Sequence, residues 1–367
     1  MKDLSGSNIM ITGAAGCIGS YIADYLIDNF CNLRLFCIDN FYNGKIENLE
    51  YAIENAKKKN NSLLFYQVDI DDILTINFEY TMDYVFHQAS MLTIDSKKDR
   101  IKSVKTNVLG FTKICEFSLA NKAKLIFASS ASVYGNPNII PTPESHTFAN
   151  NRLMYGATKI GGEYIANSYA DEEGLKIVAL RPFNVYGPRQ SLSNVYTQVV
   201  PKFVNSLLDD KEITIFGNGN QTMDLINAKD VARFYVQLAQ IGFYRGKIQP
   251  EEIRNFLSDK ISFLDEYNKM EPEIRSLFFD KKSFFDGYVN CGTGISTSVY
   301  ELYIIIKDLL TEMNYSVSEK VRYEQHDPNL VSKRQASVTL SNYLFGRHTI
   351  EVKQGIKEMV NYLANRR

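Results

Sequence analysis

Residues 8–28 read Asn8-Ile-Met-Ile-Thr12, then Gly13-Ala-Ala-Gly16-Cys-Ile-Gly19, then Ser20-Tyr-Ile-Ala-Asp-Tyr-Leu-Ile-Asp28. The first piece is a short apolar, partly β-branched run and predicts a buried strand. The last has its apolar residues at helical spacing and predicts an amphipathic helix. Between them stand three glycines, each three residues from the next, where the chain must turn sharply from strand to helix.

Glycine at these points permits the tight turn, a close approach of backbone to a pyrophosphate and close packing of helix on strand, with the phosphates at the helix N-terminus. A glycine pattern alone is weak. Its weight comes from the order strand, turn, helix and from Asp39, which closes the next strand twenty residues after Gly19. A carboxylate there can accept hydrogen bonds from ribose hydroxyls and repels a 2′-phosphate, so the expected cofactor is NAD rather than NADP. Asp69 closes the third strand-like run, where it is open to two readings: a partner for the adenine amino group or a helix N-cap.

The rhythm repeats along the first half. Strand-like runs at 8–12, 33–38, 63–68, 84–87, 124–128 and 176–180 alternate with longer amphipathic stretches, which predicts a parallel sheet with crossover helices on both faces. The expected fold class is α/β, a doubly wound parallel sheet of Rossmann type over 1–182, with a smaller C-terminal α/β substrate-binding domain over 183–367. Residues 224–240 are expected to pack back on the first domain. Beyond Pro182 the chain loosens into loops rich in Gly, Pro and Asn, of the kind that carry ligand contacts. Segment 241–286, crowded with charge and aromatic residues, reads as a helical insertion, either structural or a lid. No internal repeat is found.

Composition narrows the field. With 41 basic and 42 acidic residues the net charge is -1, which gives no electrostatic reason to expect nucleic acid or a membrane surface as partner. Five cysteines without CxxC spacing suggest reduced thiols and a cytoplasmic location. No apolar run approaches the ~18 residues of a membrane span, the first residues lack a signal-peptide pattern, and the four histidines show no metal-ligand spacing. No metal is expected.

The chemistry is sought at the strand ends. The run at 124–128 leads into Ser129-Ser-Ala-Ser-Val-Tyr-Gly135, and Tyr155-Gly-Ala-Thr-Lys159 opens a helix-like stretch downstream. Positions i and i+4 share a helix face, so Tyr155 and Lys159 project together. A free phenol, with a pKa of about 10, is a poor base; a nearby ammonium favours the phenolate. The same spacing recurs at Tyr303 and Lys307, but in an apolar run that suggests core packing. Tyr155 differs because it follows a strand ending in serines, where active-site groups of parallel sheets gather.

Together GAAGCIG at 13–19, Asp39-Asn40, Asp69-Ile70, HQAS at 87–90, Asn107, SSASVYG, YGATK and RPFNVYGPR at 181–189 resemble the extended short-chain dehydrogenase/reductase family, in its branch of nucleotide-sugar epimerases and dehydratases. The resemblance covers most of the chain except the insertion. It implies a cofactor site of Gly13, Gly16, Cys17, Ile18, Gly19 and Asp39, with Asn40 and Asn43 on the adenosine ribose, Asp69 and Ile70 on the adenine, and Gln88 and Ala89 beside them. It implies catalysis by Ser130, Tyr155 and Lys159, the lysine also holding the nicotinamide ribose, with Asn107 behind the site and Phe183 bordering the nicotinamide. Asn184 would contact the substrate diphosphate. A homodimer through the helices at 101–120 and 155–171 is implied as well.

Two departures stand out. In the phosphate loop, Met223 occupies a place where an arginine is common, and His326 stands where a second would be expected; losing two guanidiniums removes bidentate phosphate contacts. Arg189 or Arg334 could compensate. After the active-site serine the family's dehydratases usually carry an Asp-Glu pair; here Ala131 and Ser132 offer no useful proton exchange. The lack of a glutamate argues similarly against decarboxylation. The leading expectation is a nucleotide-sugar 4-epimerase. A C4-dehydrogenase is the near alternative, and a non-catalytic NAD-binding protein is disfavoured because Tyr155 and Lys159 are both present. Met91, Thr93 and Tyr196 are further pocket candidates.

Overall fold

The structure is a computed structural model; it describes residues 1–146, 148, 151–190, 199–247, 284–325 and 331–365. Tyr196, His326 and residues 248–283 of the charged, aromatic segment 241–286 lie outside the described residues.

Six strands fall where the apolar runs predict them: β1 (Asn8–Thr12), β2 (Arg34–Asp39), β3 (Ser62–Gln67), β4 (Tyr84–His87), β5 (Lys124–Ala128) and β6 (Ile177–Pro182). All pair in parallel. Side chains alternate between faces as the pleat requires. Ile9, Ile11, Leu35, Cys37, Phe86, Ile126 and Val178 enter one core, and Met10, Phe36, Ile38, Val85, Leu125, Phe127 and Ile177 enter the other. Each large side chain buried this way contributes about 1.5–3 kcal/mol.

Helix α1 (Cys17–Asn29) packs on the first face; α2 (Phe111–Asn121) and α3 (Met154–Glu173) lie on the second. Beyond β6 the chain forms β7 (Asn184–Tyr186), α4 (Val199–Leu208), β8 (Ile213–Phe216) and β9 (Thr222–Asn227). Helix α5 (Ala228–Ile241) then returns to α1 and sends Val231, Phe234, Tyr235 and Leu238 into the first core. The two ends of the 241–286 segment meet as a short antiparallel ladder of β10 (Gly246–Lys247) and β11 (Phe284–Phe285).

Strand β12 (Tyr288–Cys291) then joins the edge of the main sheet beside β6, giving the order β12-β6-β5-β4-β1-β2-β3. The apolar-run reading did not anticipate this seventh strand. The rest of the chain adds β13 (Ser296–Ser298), which extends β9 and β7 into a small sheet, α6 (Val299–Glu312), β14 (Val321–Glu324) beside β8, and α7 (Val352–Ala364). Helices α4, α6 and α7 close a separate core with Phe203, Leu302, Ile306, Met359 and Val360. Tyr303 belongs to that core and Lys307 pairs with Glu319 at 2.6 Å, so the second Tyr-Lys copy is structural.

Among the described residues no helix is long and apolar enough to cross a membrane, and no cluster of His, Cys, Asp and Glu is arranged to hold a metal.

Below the sheet's carboxyl edge lies a buried ion pair. Arg181 of β6 donates through Nε to Glu163 Oε1 and through Nη2 to Oε2, each at 2.8 Å, and the side chains are 3% and 1% exposed. Removing one partner strands a charge in the interior, a loss of about 3–5 kcal/mol. We therefore expect Glu163→Ala to lower unfolding stability by that order in urea titration; a loss below about 1 kcal/mol would contradict the structural role.

Candidate active site

The turn after β1 is set by contact. Gly13 has φ +66°, and a Cβ there would stand 2.7 Å from the Ala89 backbone nitrogen; at Gly19 a Cβ would stand 2.2 Å from the Gly13 carbonyl oxygen. Any side chain would push β1, the end of β4 and α1 apart. Gly16 caps α1 in an extended conformation with no side-chain hydrogen bond to the first N–H groups, which leaves that terminus suited to an anion.

A cavity of about 530 Å³ runs along the carboxyl ends of the strands and into the second lobe. At one end it is lined by Gly13, Gly16, Cys17, Ile18, Gly19 and Asp39, with Asn40, Asn43 and Ile70 beyond. The Asp39 carboxylate accepts from Ala15 N at 2.9 Å and Phe41 N at 2.8 Å. Burial nevertheless raises its pKa, against the pull of those backbone donors. Each oxygen keeps a further lone pair for a ribose hydroxyl.

Asp69 does not line the cavity. It caps the short 3₁₀ turn that follows by accepting from Asp71 N at 3.0 Å, and it takes a hydrogen bond from Asn40 Nδ2 at 2.8 Å. Of the two readings, the structure shows the N-cap; its neighbours Val68 and Ile70 face the cavity. Gln88, Ala89, Met91 and Thr93 also line it.

Asn107 stands behind the wall, not in it. It lies in a wide π-helical turn, Lys105–Gly110, accepts from Met91 N at 2.7 Å, and donates to Met91 O and Thr158 Oγ1, both at 3.0 Å. It thus ties the chain after β4 to the helix that carries Tyr155.

At the middle of the cavity stand Ser130, Tyr155 and Lys159, and Phe183 and Asn184, which follow β6, line it too. Helix α3 begins at Met154, so Tyr155 and Lys159 occupy successive turns of one face, and Lys159 Nζ lies 5.7 Å from the Tyr155 ring centroid. Burial raises the Tyr155 pKa, while hydrogen bonding with Ser130, the Arg334 guanidinium and the Ser90 hydroxyl pull it down. Lys159 donates to Ala128 O at 2.7 Å, and burial lowers its pKa to about 7 against the attraction of Glu163 one turn on. His87 beneath them is pushed to about 3 by burial and by Lys159, so it is neutral and structural, in contact with Thr12 Oγ1 at 2.8 Å.

The far end holds Met223, Thr214, Phe216 and Gln221. Arg189 and Arg334 both reach the cavity, but differently. Arg189 pairs with Asp24 at 2.7 Å and lies over the Tyr21 ring, which places it against α1. Arg334 has no carboxylate partner among the described residues.

Sequence reasoning missed several lining residues: Ser129, which donates to Glu163 Oε1 at 2.5 Å, Lys102, which sits 4.3 Å over the Tyr42 ring, and Tyr235 from α5. Ser129 could have been read from its place at the end of β5; the other two carry no local signal.

The cradle fits a dinucleotide. Gly13 and Gly19 leave room that a Cβ would fill, and Asn184 Oδ1 is buried in the lining without a hydrogen-bond partner. Ser130, Tyr155 and Lys159 line the same cavity beside that cradle. The model of the NAD dependent epimerase/dehydratase family matches residues 9–244, and the chain belongs to this family, whose cofactor is NAD.

A protein of Methanocaldococcus jannaschii provisionally named UDP-glucose 4-epimerase is 30% identical over 360 residues, 97% of this chain and 98% of its own. The dTDP-D-glucose 4,6-dehydratase of Dictyostelium discoideum is 32% identical over 245 residues, 62% of this chain and 54% of its own. Among solved structures, the UDP-N-acetylglucosamine 4-epimerase of Methanobrevibacter ruminantium M1, in complex with UDP-N-acetylmuramic acid, superposes with a TM-score of 0.75 at 27% identity, over 100% of both chains.

The contacts at Gly19 give a test. Gly19→Ala is expected to weaken NAD binding at least tenfold, measured by fluorescence titration, with the circular dichroism of the sheet retained; wild-type affinity would show that the turn tolerates a Cβ.

Proposed function

We propose that this protein is an NAD-dependent nucleotide-sugar 4-epimerase. The observation that carries the reading is the absence of acid-base carboxylates at the catalytic end. Among the described residues lining the cavity the sole carboxylate is Asp39, at the opposite, ribose-binding end. Elimination of water would need an acid and a base beside the sugar; the chain beyond β5 supplies Ala131 and Ser132. The cations Lys102, Lys159, Arg189, Lys202 and Arg334 line the same cavity, which favours anionic ligands such as a dinucleotide and a nucleotide diphosphate.

In this reading Gly13, Gly16 and Gly19 with the N-terminus of α1 hold the cofactor's pyrophosphate, and Asp39 its adenosine ribose. NAD held there would supply reversible hydride acceptance at the sugar carbon. Ser130 hydrogen-bonds the C4 hydroxyl, and Tyr155 takes its proton and later gives one back. Lys159 favours the phenolate; return of hydride to the other face of a 4-keto ring turned over in the pocket would give the C4 epimer. Phe183 and Met91 shield the site from water.

Incubation with UDP-, GDP-, CDP- and dTDP-hexoses, followed by NMR and by absorbance of NADH, tests this. The expected result is interconversion of C4 epimers without net NADH, slowed about 10²–10⁴-fold in Tyr155→Phe. Stoichiometric NADH with a released keto sugar would make the protein a dehydrogenase instead.

We further propose a homodimer through the helices at 101–120 and 155–171, where Ile101 (84% exposed), Val104, Leu109 and Tyr164 (61% exposed) stand out on the surface. Sedimentation should give twice the chain mass for the wild type and the chain mass for Ile101→Glu combined with Tyr164→Glu; a monomeric wild type would refute it.

A further inference from the structure

We propose that Tyr42 and Lys102 form a clasp across the mouth of the cofactor cradle that sets the rate at which NAD enters and leaves. The proposal rests on the cofactor site alone and is independent of which sugar reaction the protein performs.

The sheet order puts β1 between β4 and β2, so the segments that follow β2 and β4 flank the glycine turn after β1, the crevice in which open parallel sheets bind their ligands. Tyr42 follows β2, and Lys102 lies on the short helix Arg100–Val104 beyond β4. Lys102 Nζ sits 4.3 Å from the centroid of the Tyr42 ring, and both side chains line the cavity. The two segments therefore meet across the crevice. Asn43 Nδ2, 3.5 Å from Asp95 Oδ2, adds a longer contact between the same segments.

Each jaw has its own anchors. Behind Tyr42, Lys45 N and Asn48 Nδ2 donate to Ala15 O at 3.1 and 2.8 Å, and a Cβ on Gly44 would stand 2.8 Å from the Ala15 carbonyl carbon, which seats the loop on the glycine turn itself. Ahead of it, Phe41 takes φ +59°, a left-handed conformation that residues with a side chain disfavour. It is held there because Asp39 Oδ1 accepts from its N–H at 2.8 Å and its ring stacks on Phe65 with centroids 5.1 Å apart. The next residue, Tyr42, stands at the cavity rim, 46% exposed. On the other jaw, Asp99 Oδ1 caps the short helix by accepting from Lys102 N at 2.9 Å. Ser103 Oγ donates to Ser96 Oγ at 2.8 Å, and Ser96 Oγ to Met91 O at 3.2 Å. With both backbones anchored, opening the crevice falls to the Tyr42 and Lys102 side chains.

The clasp lies at the adenosine end. Asp39 and Asn40 precede the Tyr42 loop, and Thr106, four residues beyond Lys102, lines the cavity too. Further along, a Cβ on Gly110 would stand 2.8 Å from Ile70 Cγ2, so this helical run borders the Ile70 end. A cation over an aromatic ring is here a contact of protein with protein. A dinucleotide passing the mouth must break it in either direction, so it slows entry and exit alike.

Stopped-flow fluorescence of NADH gives both rates with no sugar present: capture on mixing with the protein, release on displacement by excess NAD. Tyr42→Ala and Lys102→Met are each expected to speed capture and release together by about 3- to 30-fold, the worth of one cation–π contact, with the dissociation constant changed less than about twofold. Tyr42→Phe, which keeps the ring, should retain both wild-type rates, and the double variant should exchange no faster than the faster single one. A retained dissociation constant certifies that a variant folds, and either single variant tests the contact if the other does not fold. Unchanged rates in the single variants would overturn the proposal. Faster release with unaltered capture, the mark of a direct contact with the cofactor, would overturn it too, as would additive gains in the double variant. Because no sugar is used, either result leaves the 4-epimerase reading to its own test.

Discussion

The hydrogen-bonded pair of Glu163 and Arg181 is the constraint on which the candidate active site depends. Glu163 lies one turn beyond Lys159 on α3, and Arg181 lies near the carboxyl end of β6. Their two parallel bonds fix the helix that carries Tyr155 and Lys159 at a set height above the strand ends. Ser129, at the end of β5, adds a third bond to the same carboxylate. From Arg181 the chain of contacts continues to the Tyr134 hydroxyl at 2.8 Å, and Tyr134 donates to Asn290 of β12 at 2.7 Å. A buried ion pair is costly to desolvate, and it is tolerated when its hydrogen-bonding capacity is filled; here nearly every donor and acceptor of the network has a partner.

A second buried carboxylate organises the other wall. Asp224 of β9 accepts from Thr293 N and Oγ1 at 2.7 Å, from Gly294 N at 2.9 Å and from Ala336 N at 3.0 Å. Burial raises its pKa while these donors lower it. One side chain of β9 thereby gathers two loops that are far apart in sequence. The two carboxylates act on opposite walls. Glu163 sets the helix of Tyr155 and Lys159 against the sheet, and Asp224 sets the strand of Met223 and the segment of Arg334 across the cavity from it.

Much of the first lobe was legible because its signals are local. Six strands declare themselves by apolar runs that alternate between two cores, and the glycine turn by its spacing. Tyr155 and Lys159 are legible through helical periodicity once the strand before them is placed. Strand β12 was not legible: Tyr288-Val-Asn-Cys291 is short, and its polar Asn290 is buried because Tyr134, Glu144 and Thr142 satisfy it, a fact no local pattern carries. The double reading of Asp69 had the same origin, since a cap and an adenine partner demand the same residue at the same place.

The sequence by itself determined the class of fold, the glycine turn after β1 and the placing of Tyr155 and Lys159 on one helix face, since each follows from steric and periodic rules acting within a few residues. Which arginine is available for a ligand was decided only by the tertiary structure. Arg189 and Arg334 look alike in the chain, yet α1 brings Asp24 against the first, and nothing among the described residues brings an acid to the second. The charge of a side chain is a local property. Whether that charge is already neutralised depends on what the fold places within about 4 Å of it.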